Sequence, residues 1–330
     1  MSRSKVAIVT TLRDAGAMLE SFVAYHLRTG FAHLFLFFDD PADPGLARFS
    51  GHPMITAVAH DELLRKSWAS LPEYDGLAEY LDREVMVRQV LNAALAMDMA
   101  RSQGFDWLLH IDADELFFSV TRPVPEFFFE ALAQPFDTIC YQNLEAVPER
   151  LDIADPFREV DLFKLPPGNE AGEENAIARL LAITPQIPPM RFHFYANGKS
   201  AVRLAADTLR PSSVHQFDGP NARQGASNDA FILHYACCGF DAFWRKYAVL
   251  GAFGDQWLDA VDIRSTIGPL HLDARDVVGA GDRNAAQAFY RQRIAIEDAG
   301  TVQALLQHRI LARVSHPRKL LQQITWSTPQ

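Results

Sequence analysis

The chain has 330 residues, of which 48% are apolar and 22% are charged, as in ordinary soluble globular proteins. Its formal net charge is −10, which argues against a nucleic-acid-binding protein, because such proteins need a basic surface. The three cysteines have no CxxC spacing, and no run of about 18 apolar residues predicts a membrane span. We therefore expect a cytoplasmic protein with reduced cysteines.

The first forty residues contain two apolar runs separated by an amphipathic segment. Residues 5–14 (KVAIVTTLRD) and 33–40 (HLFLFFDD) are rich in β-branched or aromatic residues and predict buried strands. Between them, residues 15–30 have apolar side chains at helical spacing and end in Gly30, which is typical of a helix C-terminus. A strand–helix–strand unit of this length predicts a parallel sheet.

Later segments continue this α/β pattern. Further strands are predicted at 51–60, 105–115, 137–142, 198–204, 211–217 and 229–235. Further helices are predicted at 81–103, 123–136, 241–252, 283–299 and 301–314. The pattern predicts a mostly parallel α/β domain over 1–240 and a helical C-terminal extension over 241–330.

Three carboxylates interrupt the apolar stretch LLHIDADELFF at 108–118. If a strand continued through Asp112 and Asp114, both side chains would lie on one face and repel each other unless a cation lay between them. Oxygen ligands suit Mg²⁺ or Mn²⁺, which often bind diphosphates. The alternative is an acidic loop that caps the following helix.

Two other predicted strands also end in polar residues, Arg13 and Asp39. In open parallel sheets, ligands bind beyond the carboxyl ends of the strands. We therefore expect these residues to converge with the aspartates at one edge of the sheet.

The order of these motifs resembles that of GT-A-type nucleotide-sugar glycosyltransferases, especially family 2-like and family 92-like proteins (formerly "domain of unknown function 23"). The matching segments, over roughly residues 5 to 250, are TTLRD, ESFVAYHLRTG, HLFLFFDDPADPG, VRQVLNAAL, WLLHIDADELFF, GKSAVR, SVHQF and LHYACCGFDAFWRK. The resemblance implies a GT-A-like fold with a Rossmann-like nucleotide-binding half, a nucleotide-sugar donor, and Mn²⁺ or Mg²⁺. The chain departs from family 92 after the aspartate motif, where YQNLEAVPERLD replaces a Phe-Gly-rich segment.

The resemblance also implies roles for individual residues. The donor would be bound by Thr11, Arg13, Asp39 or Asp40, Arg88 and Asp112. Asp112 and Asp114 would hold the metal ion, together with His215 or His234, of which His234 is slightly preferred.

The chemistry of transfer adds two requirements. A cation such as Arg13 or Lys199 would stabilise the leaving diphosphate, and an inverting reaction needs a carboxylate base. The candidates for the base are Glu145, Glu149, Asp152 and Asp155, with Glu145 preferred. His26 and His110 are predicted to be core histidines with satisfied hydrogen bonds.

The predicted function is metal-dependent transfer of a hexose to a glycan or lipid-linked acceptor in bacterial surface polysaccharide synthesis. One alternative is a degenerate sugar-nucleotide-binding or scaffold protein, and another is a nucleotidyltransferase. A haloacid-dehalogenase-type phosphatase would need Thr or Val where the chain has Leu116, and no GxGxxG follows the first strand as in dehydrogenases. Basic residues at 309–319 leave peripheral membrane association open.

Overall fold

The computed structural model describes residues 3–16, 18–165, 197–251, 253–263 and 270–324. The chain divides into two compact units. The first comprises Met1–Asn143 with Asn197–Ile232, and the second comprises Leu144–Ala196 with Leu233–Gln330. The predicted domains, 1–240 and 241–330, stay a prediction.

The described strands and helices alternate in the first half of the chain. The strands are β1 (Val6–Leu12), β2 (His33–Phe38), β3 (Ile55–Ala59), β4 (Trp107–His110), β5 (Glu115–Ser119), β6 (Thr138–Ala146), β7 (Leu162–Lys164), β8 (Lys199–Arg203), β9 (Arg210–Pro211), β10 (Phe217–Asp218), β11 (Gln224–His234), β12 (Gln256–Trp257), β13 (Val261–Asp262) and β14 (Leu311–Arg313). The helices are α1 (Met18–Thr29), α2 (Pro44–Phe49), α3 (Glu62–Trp68), α4 (Tyr74–Leu77), α5 (Val85–Ser102), α6 (Val124–Ala131), α7 (Pro156–Glu159), α8 (Phe240–Leu250), α9 (Leu270–Gly279), α10 (Arg283–Arg293), α11 (Ala299–Gln307) and α12 (His316–Gln322). A short 3₁₀ helix spans Ala78–Tyr80.

The sheet of the first unit is mixed, with a parallel centre. β1 pairs in parallel with β2 and β4, and β2 pairs in parallel with β3. β8 runs antiparallel to β4, and the first part of β6 runs antiparallel to β8. Every residue of β1, β2 and β4 is buried, as is usual for strands covered on both faces. The predicted α/β sheet flanked by helices is confirmed, as a mixed sheet whose parallel pairs lie at β4, β1, β2 and β3.

The helix α1 is fixed at its end by Gly30. Its φ of +108° favours glycine, and a Cβ at this position would lie only 2.7 Å from Cδ of Pro125. Within α1, Nδ1 of the buried His26 donates to the Phe22 carbonyl at 2.9 Å, and its Nε2 accepts from the Phe117 N–H at 3.2 Å. Burial lowers the pKa of His26 to about 3, so the ring is neutral. The prediction of a satisfied core histidine is confirmed.

The register of the parallel strands brings their polar ends to one edge. Leu12 lies beside Phe38 and Val9 lies beside His110, so the residues that follow each strand are neighbours. Arg13 follows β1 and Asp39 follows β2, and their side chains approach to 3.9 Å. The predicted convergence of these strand ends is confirmed.

The second unit contains the C-terminal helices that were predicted. Its main apolar cluster joins α8, α9 and α10 through residues such as Phe243, Val278 and Tyr290. The predicted helix at 301–314 is wrong in its last part, where β14 pairs with β7. Arg313, in β14, donates to Glu149 and Asp161, so its charge is paired.

Among the described residues, no helix is both long and apolar enough to cross a membrane.

Candidate functional site

The acidic turn, residues 112–115, lies between β4 and β5 in the first unit. β4 ends at His110, residues 113 and 114 form the turn, and β5 begins at Glu115. The expectation that a strand continues through Asp112 and Asp114 is therefore wrong. The helix-capping alternative is also wrong, because a strand follows the turn. Asp112 and Asp114 are half-buried, whereas Glu115 is buried.

Asp112 is held at both carboxylate oxygens. Nζ of Lys199 donates to its Oδ2 at 2.7 Å, and Nε2 of Gln89 donates to its Oδ1 at 2.7 Å. The same ammonium donates to the Val214 carbonyl at 3.2 Å and lies 3.8 Å from Oε2 of Glu115. Residues from α5 and β8 thus fix one carboxylate of the acidic turn.

Glu115 closes the acidic turn and is the more deeply buried partner of Lys199. Its Oε2 accepts the Asp112 backbone N–H at 2.8 Å, and its Oε1 accepts from Nδ2 of Asn143 at 3.2 Å. The side chains of Lys199 and Glu115 are 1% and 2% exposed, whereas that of Asp112 is 31% exposed. A carboxylate buried this deeply is stable because it has both a charged and a hydrogen-bonding partner.

Attraction between Asp112 and Lys199 outweighs the cost of burying their charges. Burial alone would raise the pKa of Asp112, but the Lys199 ammonium holds that pKa below its ordinary value. Burial alone would lower the pKa of Lys199, but Asp112 and Glu115 raise it above its ordinary value. Asp114 also acts on this ammonium, so the charges of three carboxylates bear on Lys199.

His110, the last residue of β4, is buried beside this network. Within the described part of the chain, its Nε2 has no hydrogen-bond partner. Burial, followed by the positive charge of Lys199, lowers the pKa of His110 to about 3, so the ring is neutral. The predicted burial of His110 is confirmed, but the prediction that its hydrogen bonds are satisfied is wrong.

His215 is fixed next to β8 by a backbone contact. Its Nδ1 donates to the Gly198 carbonyl at 2.8 Å, since a carbonyl can only accept. Gly198 has a φ of +63°, and a Cβ there would lie 2.4 Å from the Tyr141 carbonyl oxygen, so the position requires glycine. When the ring of His215 is neutral, its lone pair is on Nε2, as in many metal-binding histidines.

A second buried ion pair lies at the end of β2, in a group that we name the Asp39 cluster (Asp39, Arg88, His60 and Arg13). Arg88 donates from Nε to Oδ1 of Asp39 at 2.5 Å and from Nη2 to Oδ2 at 2.9 Å. Its Nη1 donates to the Leu81 carbonyl at 2.6 Å, so the whole guanidinium has protein partners. Arg88 supports Asp39, and its predicted contact with the donor stays a prediction.

The other members of the Asp39 cluster lie farther from the carboxylate. Nδ1 of His60 is 3.5 Å from Oδ1 of Asp39, and Nη1 of Arg13 is 3.9 Å from Oδ2. The side chain of Arg13 is 45% exposed, compared with 6% for Arg88. Arg13 is therefore the accessible cation of the cluster.

Thr11 and Asp40 have local partners. Nδ2 of Asn92 donates to Oγ1 of Thr11 at 2.9 Å, which fixes this hydroxyl near the end of β1. Asp40 is exposed, and its Oδ1 accepts the Ala42 N–H at 2.8 Å in an Asx-type turn. Of the two adjacent aspartates, Asp39 belongs to the buried cluster, whereas Asp40 stabilises the turn.

Glu145 and His234 form a pair of their own in the second unit. Nδ1 of His234 donates to Oε1 of Glu145 at 2.7 Å, and the two side chains are 11% and 10% exposed. The carboxylate orients the ring, and when the ring is neutral its lone pair is on Nε2. The two residues were predicted separately, as a metal ligand and as a base, and their contact was not foreseen.

Three polar residues that support these groups were not predicted to be site residues: Gln89, Asn143 and His60. The sequence could have identified Gln89, because it lies with Arg88 and Asn92 on a mostly apolar helix. Polar side chains that are buried on such a helix require hydrogen-bond partners, which marks them as candidates for a site. Asn143 and His60 lie in segments that have no such pattern.

The acidic turn suits a hard divalent cation. Asp112 and Asp114 are half-buried carboxylates of this turn. Mg²⁺ and Mn²⁺ commonly bind through one or two carboxylates together with phosphate oxygens of a substrate. In the described ranges, no three His, Cys, Asp or Glu side chains are grouped closely enough to hold a metal ion. The predicted histidine ligand, His215 or His234, stays a prediction.

Two curated proteins of Arabidopsis thaliana are similar to the chain in sequence. "Glycosyltransferase-like At2g41451" is 31% identical over 257 residues, which cover 73% of this chain and 53% of that protein. "Glycosyltransferase-like At3g57200" is 26% identical over 258 residues, which cover 73% of this chain and 46% of that protein. The chain belongs with the glycosyltransferase-like proteins. It spans about half the length of these relatives, and no protein-family model matches it.

Solved structures also show a distant likeness to this glycosyltransferase-like chain. A core-mannan synthase of Aspergillus fumigatus, in a Mn/GDP form, has a TM-score of 0.29 and 13% identity over 62% of this chain and 60% of that chain. A yeast mannosyltransferase in complex with GDP has a TM-score of 0.24 and 11% identity over 44% of this chain and 41% of that chain. Placement in family 2 or family 92 stays a prediction.

Proposed function

We propose that this chain transfers a sugar from a nucleotide-diphosphate-sugar donor to a hydroxyl group of a glycan or lipid-linked acceptor. The observation that carries the proposal is the network of Asp112, Lys199 and Glu115, which fixes an acidic turn at the end of β4. Ligands of open parallel sheets bind at this edge. The relationship to glycosyltransferase-like proteins supports the same reaction class.

The two polar groups at this edge have complementary tasks in the proposal. Asp39, held in place by Arg88, accepts hydrogen bonds from the base or ribose of the donor. Arg13 is exposed and meets the negatively charged diphosphate. Asp112 and Asp114 hold Mn²⁺ or Mg²⁺, which when bound neutralises charge on the leaving diphosphate.

The proton of the acceptor hydroxyl also needs a destination. We assign it to the Glu145–His234 pair, because an imidazole oriented by a carboxylate is an effective general base, and this assignment leaves His215 as the histidine proposed for the metal ion. A role in bacterial surface polysaccharide synthesis is also part of the proposal, although the two relatives described above are plant proteins.

Nucleotide binding tests the proposal directly. The thermal unfolding midpoint would be measured with UDP, GDP and CDP, each with and without Mn²⁺. Saturation at about a hundred times the Kd stabilises a protein by roughly 2.7 kcal/mol, so one nucleotide should raise the midpoint by several degrees only when Mn²⁺ is present.

Two variants make the thermal experiment specific to the acidic turn. Asp114→Ala should abolish the metal-dependent shift, whereas Asp207→Ala, at an exposed aspartate of the same unit, should retain it. If none of the nucleotides shifts the unfolding midpoint of the wild type, the proposed donor site is wrong and a scaffold role becomes the better hypothesis.

A further inference from the structure

A cavity of about 400 Å³ lies between α8 and α9 in the second unit. Trp244, Tyr247 and Val278 give it apolar surface, and Arg275 and Asp276 give it polar surface. Its volume is within the range of about 300–1,000 Å³ that is usual for small-ligand sites. An apolar floor with a few polar groups is also the usual composition of such sites, so the cavity is a candidate for a ligand of its own.

Trp244 provides a flat aromatic surface in this cavity. Its indole is half-buried, and it lies 5.3 Å from the guanidinium carbon of Arg283 and 6.4 Å from the ring of Phe240, measured from the ring centre. These neighbours hold the indole, and its remaining surface lines the cavity. The face of an aromatic ring is negative and attracts partly positive C–H groups, such as those on the flat side of a pyranose sugar. Trp244 is therefore suited to packing against a sugar ring.

Arg275 and Asp276 form a neutral pair in the wall of the cavity. Nε of Arg275 donates to Oδ1 of Asp276 at 2.7 Å, and its Nη1 donates to the Phe253 carbonyl at 2.6 Å, so the guanidinium is fixed. The side chain of Asp276 is 63% exposed, and its carboxylate is accessible to a ligand. Neighbouring donors and acceptors complement hydroxyl groups, which both donate and accept. Because the two charges cancel, this wall favours a neutral polyhydroxylated ligand over a phosphate, a cation or an alkyl chain.

A short and well-fixed segment joins the cavity to the proposed base. The helix α8 begins six residues after His234. Tyr290 fixes the residues between them, because its hydroxyl accepts the Gly239 N–H at 2.8 Å and donates to the Cys237 carbonyl at 2.9 Å. Extended-chain and helix dimensions place Trp244 within roughly 27 Å of His234. An oligosaccharide can span such a distance.

We propose that this cavity binds one or two sugar residues of a glycan acceptor, which pack on Trp244 and form hydrogen bonds with Arg275 and Asp276. The acceptor of the proposed reaction is then a carbohydrate chain, with its reacting hydroxyl at His234 and a more distant sugar in the cavity. This inference rests on the proposed function, because it takes the reaction to be glycosyl transfer. The binding of a sugar to the cavity can nevertheless be measured without a nucleotide.

Disaccharide binding to the full-length protein tests the proposal. Maltose, cellobiose, lactose and mannobiose would each be titrated, with binding measured by saturation-transfer difference NMR and folding checked by circular dichroism. Gly279→Phe fills the cavity, because Gly279 lines it and a Cβ there would meet no atom within 4 Å outside its own helix. Gly76→Phe is the matched control, at a helical glycine of the first unit with equal space. Trp244→Ala removes the aromatic surface, and its control is Phe129→Ala, at a ring that is 41% exposed.

The variants should separate the cavity from the rest of the surface. At least one of the disaccharides should bind the wild type at millimolar concentrations. Trp244→Ala and Gly279→Phe should each weaken this binding by about tenfold or more, because the sugar loses its aromatic contact or its space. Gly76→Phe and Phe129→Ala should bind the disaccharide as the wild type does, and octanol should not displace it.

Other outcomes overturn the proposal. If no disaccharide binds the wild type, or if Gly279→Phe binds as tightly as the wild type, the cavity is not a sugar site. If octanol displaces the disaccharide, the cavity accepts an alkyl chain, and a lipid-linked acceptor replaces the glycan. If Trp244→Ala does not fold, Gly279→Phe decides. Failure of the proposed function is separate, since it would appear as a wild type that binds a disaccharide but none of the nucleotides.

Discussion

The acidic turn follows β4 and the Asp39 cluster follows β1 and β2, and the two groups differ in their numbers of cations and carboxylates. In the Asp39 cluster, one carboxylate is surrounded by two arginines and a histidine. In the acidic turn, one ammonium is shared among three carboxylates. Both regions contain a buried ion pair, and they differ in whether cations or carboxylates are the more numerous among the partners described above.

This difference separates structural support from ligand binding. The Asp39–Arg88 pair is bidentate and self-sufficient, so its contribution is to fix Asp39 at the end of β2. The Asp112–Lys199 pair lies beside two further carboxylates, Glu115 and Asp114, which also act on the ammonium. In the proposed function, this edge of the sheet binds the nucleotide near Asp39 and the diphosphate with its cation near Asp112.

The largest effect is expected for Asp114, the half-buried carboxylate of the acidic turn. Asp114→Ala should reduce the turnover of the nucleotide-sugar by a thousandfold or more, because the cation contributes several kcal/mol to the transition state. Donor hydrolysis and transfer would be followed by the release of nucleotide diphosphate, and the unfolding midpoint would show that the fold is intact. With Asp207→Ala as the exposed control, near-normal turnover in Asp114→Ala would contradict the assignment of the cation to this turn.

Within the Asp39 cluster, the loss of Arg88 should be seen in the stability of the protein. Arg88→Leu leaves the Asp39 carboxylate buried without its main partner, which typically costs about 3–5 kcal/mol of the free energy of unfolding. Arg13→Leu should cost less than about 1 kcal/mol, because Arg13 is half-exposed and 3.9 Å away. Urea denaturation of both variants measures the difference, and equal losses would show that Arg88 is not the principal support of Asp39.

The Glu145–His234 pair should produce a smaller but distinctive kinetic effect. Glu145→Gln and His234→Gln should each lower kcat by roughly a hundredfold, the usual contribution of a general base. The double variant should lose little more than either single variant, because the two side chains act as one unit. Independent losses that multiply in the double variant would mean that the residues have separate roles.

The strands and helices of the first unit were largely predictable because local patterns determine them. Every residue of the runs VAIVTTL and HLFLFF is buried. Continuous apolar runs of this length are typical of central strands that are covered on both faces. The turn at 112–115 was missed because it contains neither glycine nor proline. Glu115 builds it instead, by accepting the Asp112 N–H and donating its own N–H to the Asp112 carbonyl at 3.1 Å.

Residues of the site were predicted more successfully than their partners. Parallel topology brings Arg13 and Asp39 to one edge, and sequence alone is sufficient for that inference. The Asp112–Lys199 pair joins residues 87 positions apart, and the Glu145–His234 pair joins residues 89 positions apart. Contacts at such separations depend on the register of non-adjacent strands, which periodicity does not specify.

The adjacent aspartates Asp39 and Asp40 also have partners that the sequence pattern does not specify. Replacing Asp40 is expected to give the smallest effect of the variants considered. Sequence reasoning left the choice between them open, but only Asp39 is in the buried cluster. Asp40→Ala removes one exposed turn hydrogen bond and should cost at most about 1 kcal/mol of the free energy of unfolding, with the nucleotide-induced thermal shift unchanged.

Asp39→Ala should both destabilise the protein more and abolish that shift, because it unpairs Arg88 and removes the proposed acceptor for the nucleotide. If Asp40→Ala instead abolished the shift, the nucleotide would be bound by the exposed turn, and the two aspartates would have to exchange roles.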